Sequence, residues 1–121
     1  MEQPSRYQKL VADAKSRIEE ISPGEAAEQA GTGAALLVDV REKDEWEEGH
    51  AAGAVHLSRG MLEVEIEEVA TDANQTILVY CGAGGRSALA ADNLQKMGFN
   101  NVRSVAGGFK AWSAAGLPTE K

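Results

Sequence analysis

The stretch Thr76-Ile77-Leu78-Val79-Tyr80-Cys81-Gly82-Ala83-Gly84-Gly85-Arg86-Ser87 decides the fold. Thr76 to Tyr80 is a continuous run of β-branched, aliphatic and aromatic residues rather than an alternating one, the pattern of a parallel strand covered on both faces. From Ser87 onward Leu89, Ala90, Leu94 and Met97 recur at helical spacing, and Gly98 follows as a helix-ending C′ residue. Strand, glycine turn and helix therefore meet at Cys81, the single cysteine of the chain. Ligands of open α/β sheets bind at the carboxyl ends of the strands, which puts this thiol on the functional edge.

Gly82, Gly84 and Gly85 let the turn adopt backbone angles in which successive N–H groups point inward as a nest. The following helix adds its unpaired N-terminal donors and the positive end of its dipole. With Arg86 beside it, such a cradle lowers a thiol from its ordinary pKa of about 8.5 toward the range of roughly 3.5 to 7.5 found for activated cysteines. Cys81 is thus the candidate nucleophile, and Gly82, Ala83, Gly84, Gly85, Arg86 and Ser87 are the candidate substrate-binding loop.

Spacing separates this loop from other motifs. A dinucleotide fingerprint needs glycine at position 87, where Ser87 stands, and no Gly-Lys-Ser/Thr ending makes a P-loop. A redox Cys-x-x-Cys needs a second cysteine at position 84, which is Gly84. Cysteine phosphatases place five residues between Cys and Arg, whereas Cys81 and Arg86 are separated by four. The smaller ring suits a group smaller than a phosphate ester.

The 121 residues fit one domain, and 43% hydrophobic with 26% charged residues is ordinary globular usage. A net charge of −7 argues against a nucleic-acid or anionic-membrane partner and makes an anionic substrate depend on local donors. One cysteine forms no internal disulfide and no Cys-rich zinc site. Met1-Glu2-Gln3-Pro4-Ser5-Arg6 lacks the apolar core of a signal peptide, and no run approaches membrane-spanning length, so a cytoplasmic location is the expectation.

In chain order, Tyr7, Leu10, Val11, Ala14, Ile18 and Ile21 predict an amphipathic helix from about Ser5 to Glu20, packed within the chain in preference to a partner copy. Residues 1–20 form this N-terminal element and 21–121 the main domain. Ser22-Pro23-Gly24-Glu25 reads as a helix start with a capping box, stopped by Gly31-Thr32-Gly33. Ala35 to Val40 is a buried strand. Asp39 and Arg41 at its end read as structural, Asp39 binding backbone N–H groups and Arg41 pairing with a carboxylate, although Arg41 is kept as a rim candidate.

The run Glu42 to Glu48 is a solvated helix face anchored by Trp46. His50 and His56 read as structural. Arg59, after the short strand Ala54 to Leu57, is the other rim candidate. Met61, Leu62, Ile66 and Val69 predict the buried stripe of a glutamate-rich helix. Asn101 to Val105 is a last short strand. Ala106-Gly107-Gly108 is a turn able to approach the Cys81 loop closely, and Phe109, Ala111 and Trp112 open a final helix closed by Gly116. Alternating strands and helices predict an α/β layer fold.

Four segments, in order, carry a family resemblance: Leu37-Val38-Asp39-Val40-Arg41-Glu42; Glu45-Trp46 with Gly49-His50-Ala51-Ala52-Gly53-Ala54; the Cys81 to Ser87 loop; and Gly98-Phe99 with Val105-Ala106-Gly107-Gly108-Phe109-Lys110-Ala111-Trp112. The chain resembles the single-domain rhodaneses, the thiosulfate sulfurtransferase family, over roughly Ile21 to Pro118. The resemblance implies a five-stranded parallel sheet flanked by helices on both faces. It also implies a sulfane sulfur moved from a small anionic donor such as thiosulfate, through a Cys81 persulfide, to cyanide, a thiol or a protein sulfur acceptor.

No metal or organic cofactor is implied, and no sequence feature sets the oligomeric state. With no second cysteine to resolve the persulfide, the acceptor comes from outside the chain. Competing readings are a non-catalytic or sulfur-carrying binding module, a phosphatase-like or arsenate-reducing enzyme on the same scaffold, and a redox-sensing thiol.

Overall fold

The computed structural model describes residues 3–121; the Met1 and Glu2 portion of the expected N-terminal segment lies outside the described residues. The described chain forms an α/β layer structure with six helices and a five-stranded parallel sheet. Its strands are β1 (Glu19–Ile21), β2 (Ala35–Asp39), β4 (Val55–His56), β5 (Thr76–Tyr80) and β6 (Asn101–Val105), in the order β1-β6-β5-β2-β4. A second, two-stranded antiparallel sheet pairs β3 (His50–Ala51) with β7 (Thr119–Glu120). The helices are α1 (Arg6–Lys15), α2 (Pro23–Gly31), α3 (Lys43–Glu48), α4 (Leu62–Val69), α5 (Gly85–Lys96) and α6 (Gly108–Ala114).

β5 is the centre of the sheet because it is apolar on both faces. Ile77 lies in register with Leu36 of β2 and Val102 of β6. Successive strand side chains point to opposite faces, so Ile77 and Val79 join Leu62 and Ile66 of α4 and Ala90, Ala91 and Leu94 of α5 in one core. Leu78 and Tyr80 join Ala26 of α2 and Trp112 of α6 in the other. Each helical layer thus covers one face. Leu94 is fully buried, and truncating such a side chain to alanine costs about 2–5 kcal/mol.

The strand order reverses between β2 and β5. From β2 the chain steps outward to β4, and from β5 it steps the other way to β6, which lies between β5 and the first strand, β1. The carboxyl ends of β2 and β5 are therefore the switch point of the sheet, where ligands of this architecture sit. Cys81 is the first residue beyond β5.

Several expectations are corrected. The N-terminal helix ends at Lys15, not near Glu20, and Glu19–Ile21 is a strand paired with Arg103–Val105 of β6. Ile18 and Ile21 are three apart, a spacing that shares one face of a helix but opposite faces of a strand. Accordingly Ile18 packs on one core and Ile21 on the other. The expected boundary at residues 20 and 21 runs through this strand.

On α1, Ala14 is buried, whereas Tyr7 and Leu10 are about half exposed, at 51% and 55%. Met61, Val69 and Met97 are exposed as well, leaving Leu62 and Ile66 as the buried residues of α4. Ser22 caps α2, accepting the Glu25 N–H at 3.2 Å, but it donates its own hydroxyl to the Glu25 carboxylate, so the box is not reciprocal. Three features follow the sequence reading closely: the strand Asn101–Val105, the final helix ending before Gly116, and the positive φ of +103° at Gly98.

Candidate functional site

The site is built on the turn from β5 into α5. Gly84, with φ +108°, is the N-cap of α5, a left-handed conformation that favours glycine. That geometry turns the Gly84 N–H onto Cys81, donating to Sγ at 3.1 Å. Ser87, in the first turn of α5, places its Oγ 3.5 Å from the same sulfur. Cys81 itself is buried, at 1% exposure, while Gly82 and Ala83 lie progressively nearer solvent.

A second loop holds the first from behind. Phe109 and Lys110, opening α6, donate their N–H groups to the carbonyls of Cys81 and Gly82 at 2.7 and 3.1 Å. Those carbonyls are thereby occupied away from the sulfur. The approach requires Gly107 and Gly108, at φ +75° and +58°. A Cβ on Gly108 would fall against the Cys81 carbonyl and the Gly82 backbone.

Burial pushes the Cys81 thiol up, because a charge is costly away from water. The Ser87 hydroxyl and the amides of Ser87, Gly84 and Ala83 more than offset it, and the thiol ends below its ordinary value. Peptide donors and one hydroxyl, rather than a neighbouring cation, are thus the main stabilisers of the thiolate.

Arg86 is engaged elsewhere. Its Nη1 and Nη2 donate to Glu45 Oε1 and Oε2 at 2.8 and 3.1 Å, tying the cysteine loop to α3. The bidentate partner raises the guanidinium above its ordinary value and holds Glu45 at about 2. Gly82 packs close to this pair; a Cβ there would lie 3.1 Å from Arg86 Nη2.

The backbones of the two rim candidates are close, Arg59 N–H donating to the Val40 carbonyl at 3.0 Å, but their side chains have different partners. Arg41 is buried: Nε and Nη2 bind Asp39, Nη2 also donates to the Gly49 carbonyl at 2.7 Å, and the guanidinium lies 4.3 Å from the Phe109 ring centroid. It braces the end of β2 against α6. Arg59 donates to the Glu63 carboxylate at 2.8 Å and lines a cleft with Leu10, Arg17 and Asp92.

The histidines are held in a stack. His50 lies 3.4 Å from Trp46, centroid to centroid, and its Nδ1 donates to the Trp46 carbonyl. His56 Nε2 donates to the Arg41 carbonyl at 2.7 Å.

Three members of the site were not singled out from sequence. Glu45 stands within the acidic run that read as a solvated helix face; its carboxylate also accepts the Glu42 N–H at 3.0 Å at the start of α3. Ser104, buried on β6, meets Ser87 Oγ at 2.8 Å. Tyr7 of α1 reaches the loop, so that a Cβ on Gly85 would meet its hydroxyl. For Ser104 the one sequence signal is its place two residues after Val102, on the same face of the strand, which turns its hydroxyl inward. No group of His, Cys, Asp and Glu side chains able to hold a metal occurs among the described residues.

The α/β fold, with Cys81 directly beyond β5 at the switch point of the sheet, agrees with comparison to known proteins. The model of the rhodanese-like domain family matches residues 22–115, and the chain belongs to that family. Among solved structures, a Rhodopseudomonas palustris protein of unknown function, described as a possible tyrosine phosphatase, is 33% identical with a TM-score of 0.85, covering 99% of both chains.

The polysulfide-sulfur transferase homodimer from Wolinella succinogenes is 30% identical over 94% of this chain and 86% of that one, with a TM-score of 0.81. The thiosulfate sulfurtransferase from Pseudomonas aeruginosa is 26% identical over 87% of this chain and 20% of that one, with a TM-score of 0.77. No helix among the described residues is long and apolar enough to cross a membrane.

Proposed function

We propose that this chain is a sulfurtransferase carrying sulfane sulfur as a persulfide on Cys81. The observation that carries the reading is the buried Cys81 Sγ accepting the Gly84 N–H at 3.1 Å. A sulfur so held is a nucleophile at neutral pH without a separate base. Its attack on the outer sulfur of thiosulfate forms the Cys81 S–S bond, breaks the donor's S–S bond and releases sulfite with the electron pair. No proton is needed, which suits a site whose histidines are bound to carbonyls.

In the second half-reaction an external thiolate or cyanide takes the terminal sulfur and returns Cys81 to its thiolate. The amides of Ala83, Gly84 and Ser87 serve both states, first for the anionic nucleophile and then for the anionic persulfide. Glu45 holds Arg86 so that the loop keeps its shape. The family membership and the sulfurtransferases among the structural neighbours support this reading. A cytoplasmic location and an outside acceptor complete the proposal.

The Rhodopseudomonas neighbour keeps a phosphatase reading in view. Here the four-residue spacing and the commitment of Arg86 to Glu45 disfavour a phosphate ester, which wants a free bidentate arginine. Parallel assays decide: Cys81-dependent sulfite release from thiosulfate supports transfer, and Cys81-dependent hydrolysis of a chromogenic phosphate ester without sulfite release replaces it.

A further inference from the structure

The geometry points to Ser104 as a positioning residue for the Cys81 thiolate, acting through the hydroxyl of Ser87. This rests on the reading of Cys81 as the nucleophile and deepens it.

Ser87 and Ser104 are both fully buried, their oxygens 2.8 Å apart. Ser87 Oγ also lies 3.3 Å from the Gly84 carbonyl and 3.5 Å from Cys81 Sγ. Ser104 Oγ has no other side-chain hydrogen-bond partner among the described residues than Ser87. A hydroxyl has one proton to donate and two lone pairs to accept with. The direction of the bond between the two serines therefore follows from counting protons.

If Ser87 donated to Ser104, the Ser104 proton would be left without an acceptor in a buried site, a costly arrangement. The sulfur would also lose the Ser87 donor. If Ser104 donates to Ser87, every proton is placed. The Ser87 proton is then free for either the Gly84 carbonyl or Sγ.

The two choices correspond to the two states of the cysteine. With a neutral thiol, the S–H points at Ser87 Oγ and the Ser87 proton rests on the Gly84 carbonyl. With a thiolate, the Ser87 hydroxyl turns to Sγ and joins the Gly84 N–H there. Ser104 donates in both states, polarising the Ser87 hydroxyl and fixing its rotamer. Without it, a helical serine is free to turn toward carbonyls of the preceding turn. The hydrogen-bond causes that lower the Cys81 thiol are headed by Ser87, the group Ser104 controls.

The test is the pH profile of iodoacetamide alkylation, which reads Cys81 alone because the chain has a single cysteine. Wild type, Ser87→Ala, Ser104→Ala and the double variant form a cycle. Ser87→Ala raises the midpoint by about one pH unit and Ser104→Ala by about half a unit, as expected for a hydrogen bond and for its polarisation. Ser104→Ala adds nothing once Ser87 is alanine. Ser104→Thr, which keeps the donor, holds the wild-type midpoint, while Ser104→Val, of equal shape, raises it; this pair reads the same contrast if Ser104→Ala does not fold.

An unchanged midpoint in Ser104→Ala, or an equal rise with Ser87 absent, overturns the inference. Alkylation uses no sulfur donor. A protein with the coupled profile but no persulfide therefore contradicts sulfur transfer alone, and a persulfide-forming protein with no coupling contradicts this inference alone.

Discussion

Arg86 and Glu45 form a two-point ion pair joining the cysteine loop to α3, with Nη1–Oε1 at 2.8 Å and Nη2–Oε2 at 3.1 Å. The carboxylate is 41 positions away in sequence, so the pair fixes the loop against a part of the chain that has no local reason to be there. Both side chains are about one-third exposed, which limits the pair's worth to roughly 0.2–1 kcal/mol.

The pH dependence of that contribution has a definite sign. Glu45 is held at about 2 in the folded protein against an ordinary 4.5. A depressed carboxyl stabilises the fold fully above the unfolded value, and the stabilisation is lost as pH falls from about 4.5 to about 2. Urea unfolding is expected to show wild type more stable than Glu45→Gln at pH 6, with the gap closing by pH 2. A gap that persists in acid contradicts the ion-pair account.

The thiol itself titrates below its ordinary value because donors outweigh burial. Alkylation of wild type should therefore follow a midpoint below about 8.5. At a pH well below both midpoints Ser87→Ala should react about tenfold more slowly, for a midpoint one unit higher. Equal rates for the two proteins would remove Ser87 from the set of stabilising donors.

Gly108 is expected to be the least replaceable glycine near the site. Gly108→Ala puts a side chain at φ +58° and drives its Cβ into the Cys81 carbonyl and Gly82 backbone. Gly33→Ala has a comparable φ of +78° but open space around it. Thermal unfolding should show Gly33→Ala costing about 1–2 kcal/mol, the left-handed backbone penalty alone. Gly108→Ala should cost more and also slow alkylation. Equal costs would mean that the close approach is not a constraint.

Gly85→Ala probes the contact between α1 and the loop. Its Cβ would meet the Tyr7 hydroxyl, the tip of a half-exposed side chain that can swing away. The expected loss is small, under about 1 kcal/mol, and should vanish in a Tyr7→Ala background. An unchanged loss there would place its cause outside Tyr7.

The core of the site was legible because its parts are consecutive. An apolar run, a glycine turn and a helical stripe specify strand, turn and helix locally, and the Gly84 conformation follows from them. The Gly107-Gly108 approach was legible because paired glycines serve few other purposes in that position. What was hidden depends on distant partners. The spacing of Ile18 and Ile21 fits helix and strand equally, and only pairing with Arg103–Val105 decides. Arg86 read as a free cation because nothing nearby in sequence claims it. Ser104, 17 positions from Ser87, is an ordinary strand serine until the fold brings the two hydroxyls together.

Intact-mass measurement after incubation with thiosulfate tests the central claim most directly. Wild type should gain the mass of one sulfur atom, removable by a reducing thiol or by cyanide, and Cys81→Ser should gain none. An unmodified wild-type mass under conditions where Cys81 still reacts with iodoacetamide would contradict the account.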